Sequence, residues 1–199
     1  MKAISRVAGL VLHGFYFYRK EETSMKSISV RRLTITAMLM AVGMLLPFLT
    51  GQIQHIGNML LPMHLPVFIC GMICGPWWGL VLGALLPIVR SMVFGMPVLL
   101  PAALAMAFEL ATYGAVSGLL RKRLPRTLPM IFVSLIVAMI LGRLVWGAVS
   151  IPIYGLAGKA FGWQIFVANG FLNAVPGMIL QIIAVPAIVA ALEKAKLAD

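Results

Sequence analysis

From about Arg32 to the end of the chain, apolar runs of membrane-spanning length follow one another with only short polar interruptions. A helix that crosses the hydrocarbon core needs about 20 mainly apolar residues, so this stretch holds roughly six spans and little else. The composition agrees, since 62% of the 199 residues are hydrophobic and 11% are charged. Such a balance marks an integral membrane protein. A soluble helical core would need charged outer helix faces, whereas residues 130–149 carry one charge, Arg143, and are otherwise apolar all round. The expectation is an all-α integral membrane protein built as one six-transmembrane-helix bundle.

The candidate spans are Leu33 to Thr50, Asn58 to Cys74, Pro76 to Val93, Leu99 to Leu120, Thr127 to Ser150, and Trp163 to Leu192. This gives an N-terminal segment 1–32, a membrane domain 33–192 and a tail 193–199. The net charge of +11 is placed for a membrane rather than for nucleic acid. Seven Lys/Arg lie in residues 1–32, four more are Arg121, Lys122, Arg123 and Arg126, and Lys194 and Lys196 close the chain. All three basic segments fall on one side of the membrane for an even number of spans, so both termini are expected to be cytoplasmic. Residues 1–24 resemble a short signal sequence without an A-x-A cleavage pattern, and Met25-Lys26 offers a second candidate start. No function is assigned to them.

Gly75-Pro76, Pro62 and Pro66 interrupt the second and third spans and allow a bent or re-entrant segment there. Small residues recur as Gly71, Gly75, Gly79 and Gly83, and again as Ala103, Ala107, Ala111 and Ala115. Ladders of this kind let helices approach closely, and tight packing is the favoured reading. Cys70 and Cys74 read as buried structural thiols, because further metal ligands are missing from their stretch. For His55 and His64 the favoured readings are a solvated loop residue and a helix-end residue. No metal or cofactor is expected.

Polar groups from independent spans converge on one layer. At about 1.5 Å per residue, Glu109 lies roughly 15 Å from the outer end of the fourth span, Arg143 about 24 Å up the fifth and Arg90 about 20 Å up the third. Asn169 and Asn173 fall about 9 to 15 Å below the outer end of the sixth. An ionised side chain at this depth costs at least about 2.5 to 3.5 kcal/mol, so these groups should face the bundle interior. Glu109 can pair with either Arg143 or Arg90, and one carboxylate satisfies only part of two guanidinium groups. The second basic group would then meet an anionic ligand, for which the arginine fork is suited. Tyr113 and Trp146 follow Glu109 and Arg143 at helical spacing and offer stacking faces. Asn169, Asn173, Gly177 and Gln181 form a polar seam along the last span. Before the second span, Gln52, Gln54, His55 and Asn58 lie in a polar exterior segment bracketed by Gly51 and Gly57, a candidate lid.

The runs Met59 to Val67, Cys70-Gly71, Cys74-Gly75-Pro76, Pro87 to Pro97 and Ala105 to Gly114, together with Ala37-Met38-Leu39-Met40-Ala41, resemble the S components of energy-coupling factor (ECF) vitamin transporters. The likeness extends over residues 30–192. It implies a prokaryotic cell-membrane protein that binds a water-soluble vitamin from outside, without enzymatic activity of its own. It also implies that Ala37 and Ala41 face a transmembrane T component carried by two cytoplasmic ATPase subunits. The substrate would lie between the first loop and helices four to six. Binding residues differ among the riboflavin, pantothenate, cobalamin and other branches, and no branch is matched residue by residue.

No G-x-x-x-x-G-K-[ST] loop is present, so ATP-driven uptake would need another polypeptide for hydrolysis. An intramembrane enzyme is disfavoured, because the sole Asp is Asp199 and neither H-E-x-x-H nor G-x-S-x-G occurs. The stronger rival is a proton-coupled secondary transporter in which Glu109 relays protons and the proline breaks act as gates.

Overall fold

A computed structural model describes residues 30–50, 60–195; the candidate lid residues Gln52, Gln54, His55 and Asn58 and the N-terminal segment up to residue 29 lie outside them. The chain divides into units 1–34 and 35–199. Within the described part of the first unit, Thr34 Oγ1 donates to the Val30 carbonyl at 3.0 Å.

All regular structure among the described residues is helical. We label the helices α1 (Val30–Phe48), α2 (His64–Cys74), α3 (Pro76–Phe94), α4 (Leu99–Arg123), α5 (Leu128–Leu156) and α6 (Trp163–Lys194). Five of them are long and apolar enough to cross a membrane, not six. The exception is α2, which has 11 residues and therefore a length of roughly 16 Å, about half the thickness of the hydrocarbon core. The expected start at Asn58 lies outside the described residues; Leu60 is helical, the chain turns at Pro62 and Met63, and α2 then runs from His64 with Pro66 in its first turn. Past Cys74 the chain turns at once, since Gly75 adopts φ +100, open to glycine alone at low cost, and Pro76 starts α3 where its missing N–H does no harm.

Helices α2, α3 and α4 meet with their backbones nearly touching. A Cβ on Gly114 would stand 2.2 Å from the Gly79 carbonyl oxygen, and one on Gly83 would stand 2.3 Å from that of Leu110. Tight packing therefore explains Gly71, Gly79 and Gly83, while Gly75 serves the turn. On α4 the close approach is made at Gly114 and Gly118 and at Leu110–Ala111, whose backbone faces Gly83. The main core gathers Val67, Phe68, Leu82, Leu86, Leu110, Tyr113, Leu135 and Val185 from α2 to α6. Cys70 and Cys74 are both buried in it.

Two helices carry irregular turns. Helix α4 begins with the π-turn Leu99–Ala103, and α6 consists of Trp163–Val167, the π-turn Ala168–Leu172 and Val175–Lys194. The carboxyl ends of α4 and α6 lie side by side, because Arg121 Nε donates to Glu193 Oε1 at 3.2 Å. Arg121 to Arg123 and Lys194 thus share one end of the bundle, called the basic end below.

Candidate functional site

Midway along α4 and α5 the helices bury a charge pair. Arg143 Nη1 lies 2.7 Å from Glu109 Oε1, and the two residues are 4% and 2% exposed. Glu109 is fourteen residues from the end of α4 at Arg123 and Arg143 fifteen from the start of α5 at Leu128, so both stand roughly 21 to 22 Å from the basic end. The antiparallel hairpin thus brings them level. Of the two partners left open by the sequence, Glu109 takes Arg143.

Tyr113, one turn along α4, donates its hydroxyl to the same Glu109 oxygen at 2.7 Å. Its ring stacks on Phe68 of α2 with centroids 4.8 Å apart. On the other side the ring is admitted by Gly142, where a Cβ would come within 2.1 Å of Tyr113 Cε1. A carboxylate, a guanidinium and a phenol are thus held by packing as well as by charge. Such a shell fixes the orientation of the groups it presents.

His64 is the helix-end residue expected from the sequence, and at the first position of α2 it is also buried beside the cluster. It is 1% exposed, its Nε2 stands 3.7 Å from Glu109 Oε1 and its ring centroid lies 5.4 Å from that of Tyr113. The sequence hint was the delayed start of α2, which turns its first residue inward. The turn before it is held from α6: Leu61 has φ +49, and its carbonyl accepts from His64 N at 3.1 Å and from Gln181 Nε2 at 3.4 Å. Gln181 is buried, so this member of the polar seam fastens helices together.

The other expected site residues lie elsewhere. Arg90, also buried, donates through Nη1 to the Met44 carbonyl, and its guanidinium stands 5.2 Å from the ring centres of both Phe48 and Phe94. Trp146 is one turn beyond Arg143 on α5 but packs into a separate aromatic group, stacked 6.0 Å from Phe166 and edge-on 5.4 Å from Phe161. Asn169 and Asn173 are exposed and bond to each other, Asn173 Nδ2 to Asn169 Oδ1 at 3.1 Å. Between them Gly170 faces Trp146, a Cβ there standing 3.5 Å from the indole. Ala37 and Ala41 are both exposed on α1. No group of three or more His, Cys, Asp or Glu that would hold a metal occurs among the described residues.

Several spans and a charge pair buried between them define a multi-pass membrane protein with a polar centre in the bundle. Residues 31–189 match the family of the ECF transporter substrate-specific component, and the chain belongs to that family. It is a transporter subunit family and not an enzyme family. No curated protein and no solved structure matches the chain.

Proposed function

We propose that this substrate-specific subunit binds a water-soluble vitamin bearing an anionic group and delivers it for ATP-driven uptake with a T component and two ATPase subunits. The observation that carries the reading is the buried Glu109–Arg143 pair, in which Arg143 Nε has no partner among the described residues. A guanidinium that spends one edge on an internal acid keeps donors for an incoming carboxylate or phosphate. Tyr113 and Glu109 hold it in place, and Trp146 with the exposed Asn169/Asn173 pair lies toward the end of the bundle opposite the basic one. If the basic end is cytoplasmic, as the positive-inside rule has it, that opposite end faces outside. Arg90, taken up by the Met44 carbonyl and two phenyl rings, is left out of the binding set.

The exposed Ala37 and Ala41 support α1 as the docking face for the T component, small residues being what close helix approach requires. Mass spectrometry of the compound released from purified protein tests the reading. The expected result is one small anionic vitamin at near-stoichiometric amount, and a protein that retains nothing would overturn it. Vesicle uptake separates the rival: collapse on dissipating the proton gradient, without any ATPase, would assign transport to Glu109 instead.

A further inference from the structure

Every buried side-chain nitrogen or oxygen that lacks a hydrogen-bond partner among the described residues belongs to His64, Arg143 or Ser150. These are both ring nitrogens of His64, Nε of Arg143, and Oγ of Ser150, two turns beyond Arg143 on α5. Other buried polar side chains have at least one partner: Arg90 has the Met44 carbonyl, Arg121 has Glu193, and Gln181 has the Leu61 carbonyl. Unsatisfied groups are thus concentrated at the Glu109–Arg143 pair and along one face of α5. A folded protein rarely leaves buried polar atoms without partners, because each forfeits its hydrogen bonds to water.

His64 is the sharpest case. Its nearest acceptors are Glu109 Oε1, 3.7 Å from Nε2 and beyond the distance of a well-formed hydrogen bond, and the Leu61 backbone, so the ring has neighbours but no well-formed hydrogen bond. Yet the fold goes to some length to hold it there. Leu61 takes a left-handed backbone conformation that a leucine rarely adopts, and Gln181 reaches across from α6 to hold that residue's carbonyl. The surroundings of His64 are mixed, with the Tyr113 ring at 5.4 Å between centroids and the Glu109 carboxylate at 3.7 Å.

We infer that His64 is a substrate-contact residue, whose imidazole exchanges a hydrogen bond with an uncharged polar group of the substrate next to the anionic group held by Arg143. The inference rests on the proposed binding function and adds a chemical requirement to it. A neutral imidazole offers one donor and one acceptor, so it suits a hydroxyl, carbonyl or amide. It does not suit a second acidic group, which Arg143 would serve better. The substrate therefore carries an acidic oxygen and an uncharged hydrogen-bonding group as near neighbours. His64 acts as a specificity determinant, rejecting analogues in which that group is replaced by a methyl.

The test uses the full chain and the compound that co-purifies with it, quantified by mass spectrometry after denaturation. His64→Leu is expected to lower the retained amount about tenfold, the worth of one buried hydrogen bond, while thermal stability of ligand-stripped protein stays the same or rises. His64→Asn and His64→Gln place an amide near one ring nitrogen or the other. One of them should restore retention to within about threefold of wild type and the other should not, which a purely structural histidine would not produce. If His64→Leu gives no folded protein, this Asn/Gln contrast decides alone. Retention by His64→Leu at the wild-type level, or equal behaviour of the Asn and Gln variants, overturns the inference and leaves the binding function standing. A wild-type protein that retains nothing overturns both.

Discussion

Two arginines stand at similar depth in this bundle and are used in opposite ways. Arg90 sits one turn before the end of α3, where the Met44 carbonyl takes one donor while Phe48 and Phe94 flank the cationic plane. Arg143 sits in mid-helix against a buried acid and keeps an unpartnered nitrogen. The lesson concerns what makes a buried charge functional. Depth alone does not, because both are almost wholly buried. What differs is that Arg143 holds a fully buried nitrogen without a partner among the described residues, and Arg90 does not.

The largest effect should come from breaking the Glu109–Arg143 pair. Arg143→Ala strands a carboxylate in the bundle interior, and a broken buried pair costs about 3 to 5 kcal/mol. Thermal unfolding in detergent should therefore fall steeply, and the retained compound should be lost as well. Stability loss alone would account for both, so the informative variant is Glu109→Leu combined with Arg143→Met. Removing both charges should recover most of the stability, as apolar replacements of buried ion pairs do, without recovering retention. A double variant that regained the compound would reduce the pair to a helix fastener and erase its contrast with Arg90.

Next comes Gly142→Ala, which tests the packing that aims Tyr113. The added methyl would meet the ring at 2.1 Å, so the ring must shift and drag its hydroxyl from Glu109. Overpacking of this kind costs about 1 to 3 kcal/mol. Retention should drop by more than in Tyr113→Phe, which removes the hydroxyl but leaves the ring in place. Equal losses would mean that the ring position is irrelevant to the site.

These groups differ in how far the sequence announced them. Ends of α1, α3, α4 and α6 were legible to within about three residues because apolar runs bounded by Gly, Pro and charge leave few alternatives, whereas α5 runs past the expected Ser150, through Pro152, to Leu156. Glu109, Arg143 and Tyr113 were legible for a related reason: charges are so costly at span depth that two on adjacent antiparallel helices must meet. Arg90 stands apart from the Glu109 pair, because the arithmetic of rise per residue gives depth along a helix but not direction around it. Its actual partners include a main-chain carbonyl, which carries no side-chain signature. His64 was missed since it depends on where α2 begins, and that is set by the left-handed turn at Leu61 and its bond to Gln181, 120 residues away in sequence. The pairing of Asn169 with Asn173 follows from their i, i+4 spacing, yet the π-turn between them shifts which face they share.

A smaller effect should separate the two arginines from the other side. Arg90→Lys keeps the charge but loses the planar group that lies against two rings, so stability should fall by about 1 to 2 kcal/mol. Retention measured on the folded fraction should be unchanged. If Arg90→Lys instead abolished retention at unaltered stability, Arg90 would belong to the binding set and the distinction drawn above would be wrong.

The smallest expected change in stability is at the asparagine pair. Both side chains are exposed and bond only to each other among the described residues, so Asn169→Ala or Asn173→Ala should alter unfolding by less than about 0.5 kcal/mol, the usual range for surface positions. Their value lies in the second readout. If they meet the substrate at the end of the bundle remote from the basic loops, each variant should weaken retention by up to about tenfold, since a hydrogen bond to a neutral group is worth about 0.5 to 1.5 kcal/mol. The double variant then reports how they act: losses that fail to add would show that the two amides hold each other for a single contact, whereas additive losses would mean two separate ones. Unchanged retention in both single variants would confine the site to the buried cluster around Arg143, with Asn169 and Asn173 no more than surface polar residues of α6.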